Sequence, residues 1–140
     1  MAFCGIIKKE EFNDSVNKLK KSNSEYYLNL VPKSQSEYYV LKSVHVKNDI
    51  IVPAIHKKSQ DIYIITSGKA MFTYKGELIN PHVKKGEKDA QTIRGDSIKN
   101  GESFEIKEGD IISIPPNTPH SVDAMNSEIV FITIKIDDLI

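Results

Sequence analysis

Beyond Asn23 the chain never sustains a helical repeat. Short runs rich in Ile, Val, Tyr and Phe follow one another, separated by Gly, Pro, Asn and Asp. β-Branched and aromatic side chains suit a pleated, half-buried surface, and the separating residues are those that turns select. The runs predict strands over 25–31, 37–46, 50–56, 61–66, 70–75, 103–107, 110–114, 120–124 and 128–136. None alternates with a helical segment, which argues against a parallel α/β sheet and leaves a sandwich, a jelly roll or a barrel. One helix is predicted, over 8–22, where Phe12, Val16 and Leu19 fall at i, i+4 and i+7 and form a narrow apolar stripe. A chain of 140 residues has room for one core. The reading is an N-terminal helical segment over 1–24 and one all-β domain over 25–140.

Charge narrows the partners. Lys plus Arg number 19 and Asp plus Glu number 19, so the formal net charge is zero. Without a basic excess, neither nucleic acid nor a membrane surface is expected as a general partner. The apolar runs are too short to span a bilayer. The opening MAFCGIIKKEEF lacks the pattern of a secretory signal. The single cysteine, Cys4, forms no internal disulfide and reads as incidental. Together these features predict a cytoplasmic protein.

Residues 76–102 break the texture: they hold four glycines and little hydrophobic periodicity. They read either as an insertion covering one end of a barrel or as a mobile surface loop. Within them, Lys84, Lys85 and Lys88 are a solvated loop or a contact for an anionic substrate. His82 is a loop histidine, or a general acid or base folded over a cavity mouth.

Two stretches carry candidate chemistry. In IIVPAIHKKSQDIYIITSG, strand alternation puts Val52, Ala54 and His56 on one face, and Asp61, Tyr63 and Ile65 on one face of the next run. A short turn, Lys57 to Gln60, predicts a hairpin with Asp61 near His56 across the pair. An imidazole beside a carboxylate is either a surface hydrogen bond or half of a divalent-metal site. Gln60 turns outward if Asp61 turns inward, and a bulge at the turn would reverse that choice. In GDIISIPPNTPHSVDA, three prolines stiffen the corner that presents His120 at the start of a strand.

Together the two stretches resemble the motifs of the cupins, small jelly-roll barrels. Counting back from Gly68, Asp61 stands at the Glu position of the first motif, His56 at its second His, Ala54 at its first His and Asn48 at its leading Gly. In the second motif, Gly109, Pro115 and His120 keep their places, with Asn117 for Gly and Ala124 for Asn. Asn48 can occupy its turn position because Asn tolerates φ > 0. The resemblance covers about residues 37–136 and is closest to small bacterial cupins with a Gly-rich segment between the motifs.

The resemblance implies a jelly-roll (double-stranded β-helix) barrel, a small-molecule ligand and a homodimer. It also implies a divalent metal, iron, zinc, manganese or nickel, held by His56, Asp61 and His120. Ala54 replaces a usual ligand, and His45, on the preceding strand, is a candidate substitute. Asp is one methylene shorter than Glu, so it is expected to reach roughly 1–1.5 Å less far. Catalytic roles fall to His120 and Tyr63, the latter as a hydrogen-bond donor to ligand, or else as core packing. The expected function is a metal-dependent enzyme of oxygenase or isomerase type. The alternatives are a metal-free binding module or sensor, and a sugar-nucleotide epimerase that pairs a His base with a Tyr acid.

Overall fold

A computed structural model describes residues 5–31, 39–83 and 91–137. The helix α1 spans Lys9–Lys21, with Glu10 and Glu11 in its first turn and Lys18, Lys20 and Lys21 in its last. Both sets of charges complement the helix dipole. Ser15, Val16 and Leu19 are its buried face, and Phe12 is half-buried. Among the described residues the strands are β1 (Tyr27–Val31), β2 (Tyr39–Lys47), β3 (Ile50–His56), β4 (Gln60–Tyr74), β5 (Glu77–Ile79), β6 (His82–Val83), β7 (Thr92–Arg94), β8 (Ser97–Lys99), β9 (Glu102–Lys107), β10 (Ile111–Ile114), β11 (His120–Asp123) and β12 (Glu128–Ile136).

All pairings are antiparallel, and they build two facing layers. In one, β2 lies between β1 and β12, and the first half of β4 lies between β12 and β10. In the other, β6, β7, β3 and β11 follow in order, and β11 and β9 flank the second half of β4. β4 serves both layers because it bends. Its register with β12 slips beside Thr66, and Gly68 takes φ +76°. A Cβ at Gly68 would lie 2.0 Å from the carbonyl oxygen of Glu128, so the position needs glycine for space as well as for φ. The strands predicted over 61–66 and 70–75 are therefore one bent strand.

Phe72, Phe131, Ile106, Ile129 and Val122 are almost fully buried between the layers. The helix packs on the outside, against β1 and β2. There the hydroxyls of Ser15 and Ser43 meet at 2.8 Å, and Leu19 is 2% exposed.

The described parts of the stretch 76–102, residues 76–83 and 91–102, hold more strand than the sequence suggests. β5 and β8 form a small ribbon, and β6 and β7 extend the second layer beyond β3. Short strands of three residues or fewer carry too few alternations to register as a pattern. Lys84, Lys85, Lys88 and Cys4 lie outside the described residues, as do positions 37 and 38 of a predicted strand.

Candidate metal centre

His56, Asp61 and His120 converge inside the barrel from β3, β4 and β11. Each offers one ligand atom, and these atoms lie within 4.8 Å of one another. Among the described residues they are the group of His, Cys, Asp and Glu side chains placed to share an ion. His56 Nε2 is 3.5 Å and His120 Nε2 is 3.9 Å from Asp61 Oδ2. Metal bonds of about 2.1 Å hold neighbouring ligands roughly 3–3.5 Å apart, so small side-chain movements would close the set. The shorter Asp reaches the histidines after all.

The route by which they meet differs from the expected hairpin. β3 pairs with β11 and β7, whereas Asp61 sits opposite Lys135 and Ile114 in the other layer. The turn after His56 thus crosses between layers, and His56 faces Asp61 across the barrel. A two-layer closure buries both faces, which a free hairpin cannot do.

Backbone and hydroxyl groups aim the rings. His120 Nδ1 lies 2.9 Å from the carbonyl of Thr118. A carbonyl only accepts, so Nδ1 carries the proton and Nε2 presents a lone pair to the interior. His56 Nδ1 lies 3.1 Å from Thr92 Oγ1. The Asn117 N–H donates to the carbonyl of His56 at 2.7 Å, tying the proline-rich corner to the end of β3. Asn117 takes φ 63° and Asn48 φ 48°, so both asparagines occupy the left-handed conformation expected of the glycines they replace.

Burial keeps both imidazoles neutral. It pushes His56 down to about 2, with Lys135, His120, Arg94 and Lys42 adding repulsion. Burial also lowers His120, against the opposing pull of the Thr118 carbonyl and Asp61. Neutral imidazole is the metal-binding form. Tyr63 is pushed well above 10, first by burial and then by Asp61, which keeps it a neutral phenol. Its ring packs 4.7 Å from Phe131 and edge-on to Phe72 while also lining the cavity, so it is core and wall at once.

The second oxygen of Asp61 has a different neighbour. Lys135 Nζ lies 3.0 Å from Oδ1, yet the two are not aligned for a hydrogen bond, and neither atom has another partner. They stand directly opposite on β12 and β4, which places both side chains on one face.

A cavity of about 150 Å³ opens beside these groups, walled by Val44, Ile51, Val122 and Phe131 among others. Lys42, Arg94 and Tyr26 also line it, and the sequence reading missed all three. A signal existed for Lys42 and for Lys135: each falls on the inward phase of its strand, in line with Val44 and with Phe131 and Thr133. Arg94 had none, because β7 is three residues long.

The other expected residues sit elsewhere. His45 is buried on the outer face of β2, beside Leu19 of α1, with Nε2 2.6 Å from Glu128 Oε2. It does not complete the metal set, since its neighbour Val44 takes the inward phase. Gln60 turns away from the triad and donates to Ser113 Oγ at 2.8 Å. His82 is exposed on β6, with Nδ1 2.9 Å from the carbonyl of Asn80. It borders a shallow depression that shares Tyr26, Val52 and Arg94 with the cavity.

The fold is that of the cupins. An uncharacterised protein with a double-stranded β-helix domain from Klebsiella pneumoniae matches 97% of this chain and 92% of its own, with TM-score 0.62 and 16% identity. A predicted oxalate decarboxylase from Thermotoga maritima matches 79% and 78%, with TM-score 0.56 and 16% identity. A cupin protein from Bacteroides fragilis matches 84% and 80%, with TM-score 0.50 and 18% identity. No protein-family model matches the chain, and no curated protein sequence matches it. Among the described residues, no helix is long and apolar enough to cross a membrane.

Proposed function

We propose that the protein holds a divalent metal ion through His56, Asp61 and His120 and acts on a small molecule bound in the adjoining cavity. The observation that carries this reading is the convergence of two neutral imidazoles and one carboxylate oxygen with no hydrogen bond among them. His120 Nε2 presents a lone pair toward Asp61 Oδ2 with no proton between them, an arrangement that a cation held by both would stabilise. A bound ion would supply Lewis acidity, polarising a substrate oxygen. Two histidines and one carboxylate leave coordination positions open, as oxygenase-type and isomerase-type chemistry requires.

The chain's own residues do the rest. Thr118 and Thr92 fix the rings of His120 and His56, and Asn117 anchors the strand end that carries His56. Tyr63 offers a phenol proton to the ligand. Asp61 and His120 are buried in the barrel, which strengthens the polar contacts they make. A volume of about 150 Å³ suits a ligand near the size of benzene, since cavities of that order bind it.

A metal-free binding module is the second reading. It is favoured by Ala54, which offers no ligand atom, and by Lys135, whose ammonium already neutralises Asp61.

The test is metal content by plasma mass spectrometry on untagged protein purified without chelator, with His120→Ala as the comparison. Near-stoichiometric metal that is lost in the variant supports the metal centre. Protein that stays empty after incubation with iron, zinc, manganese and nickel overturns it in favour of the binding module.

A further inference from the structure

Among the described residues, the charges around the cavity are unbalanced: Asp61 is the one carboxylate in its lining, and Lys135 already faces it at 3.0 Å. Two further cations, Lys42 and Arg94, line the same space. Among the described residues, neither has a carboxylate within ion-pair distance. Lys42 Nζ instead lies over the ring of Tyr27, 4.4 Å from its centre. Asp61, and then Asp137, attract Lys42 from a distance, and one oxygen of Asp137 accepts a hydrogen bond from Ser59 at 2.7 Å. Burial disfavours the Lys42 ammonium, repulsion from Lys135 and Arg94 adds to this, and attraction from Asp61 and Asp137 opposes it.

Their placement follows from register. Arg94 on β7 stands opposite Ala54 on β3, and Ala54 stands opposite His120 on β11. Arg94, Ala54 and His120 therefore form one row across the second layer. Neighbouring strands are about 4.8 Å apart, so the Arg94 backbone is two strand spacings from His120. The methyl of Ala54 between them leaves the guanidinium a clear path over the cavity. Lys42 answers from the first layer, opposite Thr133, which in turn stands opposite Tyr63.

We propose that the ligand of this cavity is a small organic carboxylate, its carboxylate group held between Arg94 and Lys42 and its other end directed at the His56–Asp61–His120 triad. A guanidinium offers a planar fork that matches a carboxylate, and a lysine adds a point charge from the facing side. The apolar walls and the small volume favour an organic acid of a few carbon atoms over inorganic phosphate. A ligand anion completes the pairing that these two half-buried cations lack among the described residues. The anion pocket stands by itself; only the orientation of the ligand's far end rests on the proposed metal centre.

The experiment uses the full chain after chelator treatment, so that no carboxylate is captured through a metal. Propanoate, malonate and benzoate are titrated at constant ionic strength, followed by amide NMR shifts. Propanamide, malonamide and benzamide serve as neutral counterparts, and inorganic phosphate is a separate arm. At least one carboxylate is expected to bind about tenfold or more tightly than its amide, as charged hydrogen bonds imply. Arg94→Gln and Lys42→Met each reduce that preference, and Arg94→Lys retains part of it. An unchanged melting temperature and unchanged dispersion of the amide NMR signals show that the variants are folded. The proposal is overturned if no carboxylate gives a saturable shift, if carboxylate and amide bind alike, or if the preference survives both substitutions. Tighter binding of phosphate than of every carboxylate overturns the assigned class. His120→Ala separates the two ideas: loss of metal with retained carboxylate preference leaves the anion pocket standing, whatever becomes of the metal centre.

Discussion

Replacing Lys135 by Met tests how the barrel tolerates Asp61. The carboxylate is 3% exposed and the lysine 16%, and their charged atoms are 3.0 Å apart. At an effective dielectric near 20, that separation corresponds to about 5 kcal/mol of attraction. Burying the ammonium costs part of this, and Met is easier to bury, so the net loss is smaller. Removing one partner of a buried pair typically costs about 3–5 kcal/mol, and the cavity beside Asp61 puts this case near 3. Neither histidine replaces the lysine, because both are neutral and His120 directs a lone pair inward. Urea unfolding of metal-free Lys135→Met should therefore show about 3 kcal/mol less stability, or roughly 10 °C in melting temperature. Adding Asp61→Asn should recover at least half of the loss, since an amide needs no counter-charge. The same single variant should lose less when metal is present, because an ion at the triad also neutralises Asp61. A loss below about 0.5 kcal/mol, or a double variant no more stable than the single one, refutes the reasoning.

Three further outcomes follow from the geometry. Between about 6.5 and about 2 the unfolded chain holds a proton on His56 that the folded chain excludes, so stability should fall as pH drops below 6.5, by up to about 1.4 kcal/mol per pH unit, and His120 adds in the same direction. His56→Gln should flatten that slope in urea midpoints of the metal-free protein, and an unchanged slope contradicts the assignment. Gly68→Ala combines φ +76° with a Cβ placed 2.0 Å from the Glu128 carbonyl, so a loss of at least about 2 kcal/mol is expected by thermal denaturation, and near-wild-type melting contradicts it. Leu19→Ala should cost about 2–4 kcal/mol if α1 is an integral part of the fold, whereas a surface-attached helix would cost almost nothing in the same assay.

The amino-acid sequence by itself determined what is local. Alternation along β4 put Asp61 and Tyr63 inward and Gln60 outward, and turn chemistry marked the corner that delivers His120. Asn48 announced a left-handed turn through its ability to adopt positive φ, and Asn117 takes the same conformation. The strand pattern narrowed the fold to a sandwich, jelly roll or barrel, and the resemblance to cupin motifs selected the jelly roll. The expected hairpin failed because alternation states which residues share a face but not which strand lies beside them. Pairing partners are fixed by contacts between distant strands, and here they sent β3 and the first half of β4 to opposite layers. The fate of His45 was decided in the same way. It is buried, but α1 covers the outer face of β2, so its burial has nothing to do with the cavity. Only the tertiary structure could gather Lys42, Arg94 and Lys135 around Asp61, because they come from three strands whose registers are set independently. The triad was anticipated through the resemblance of two short stretches to cupin motifs, whereas the charge balance of the cavity is a property of the closed barrel.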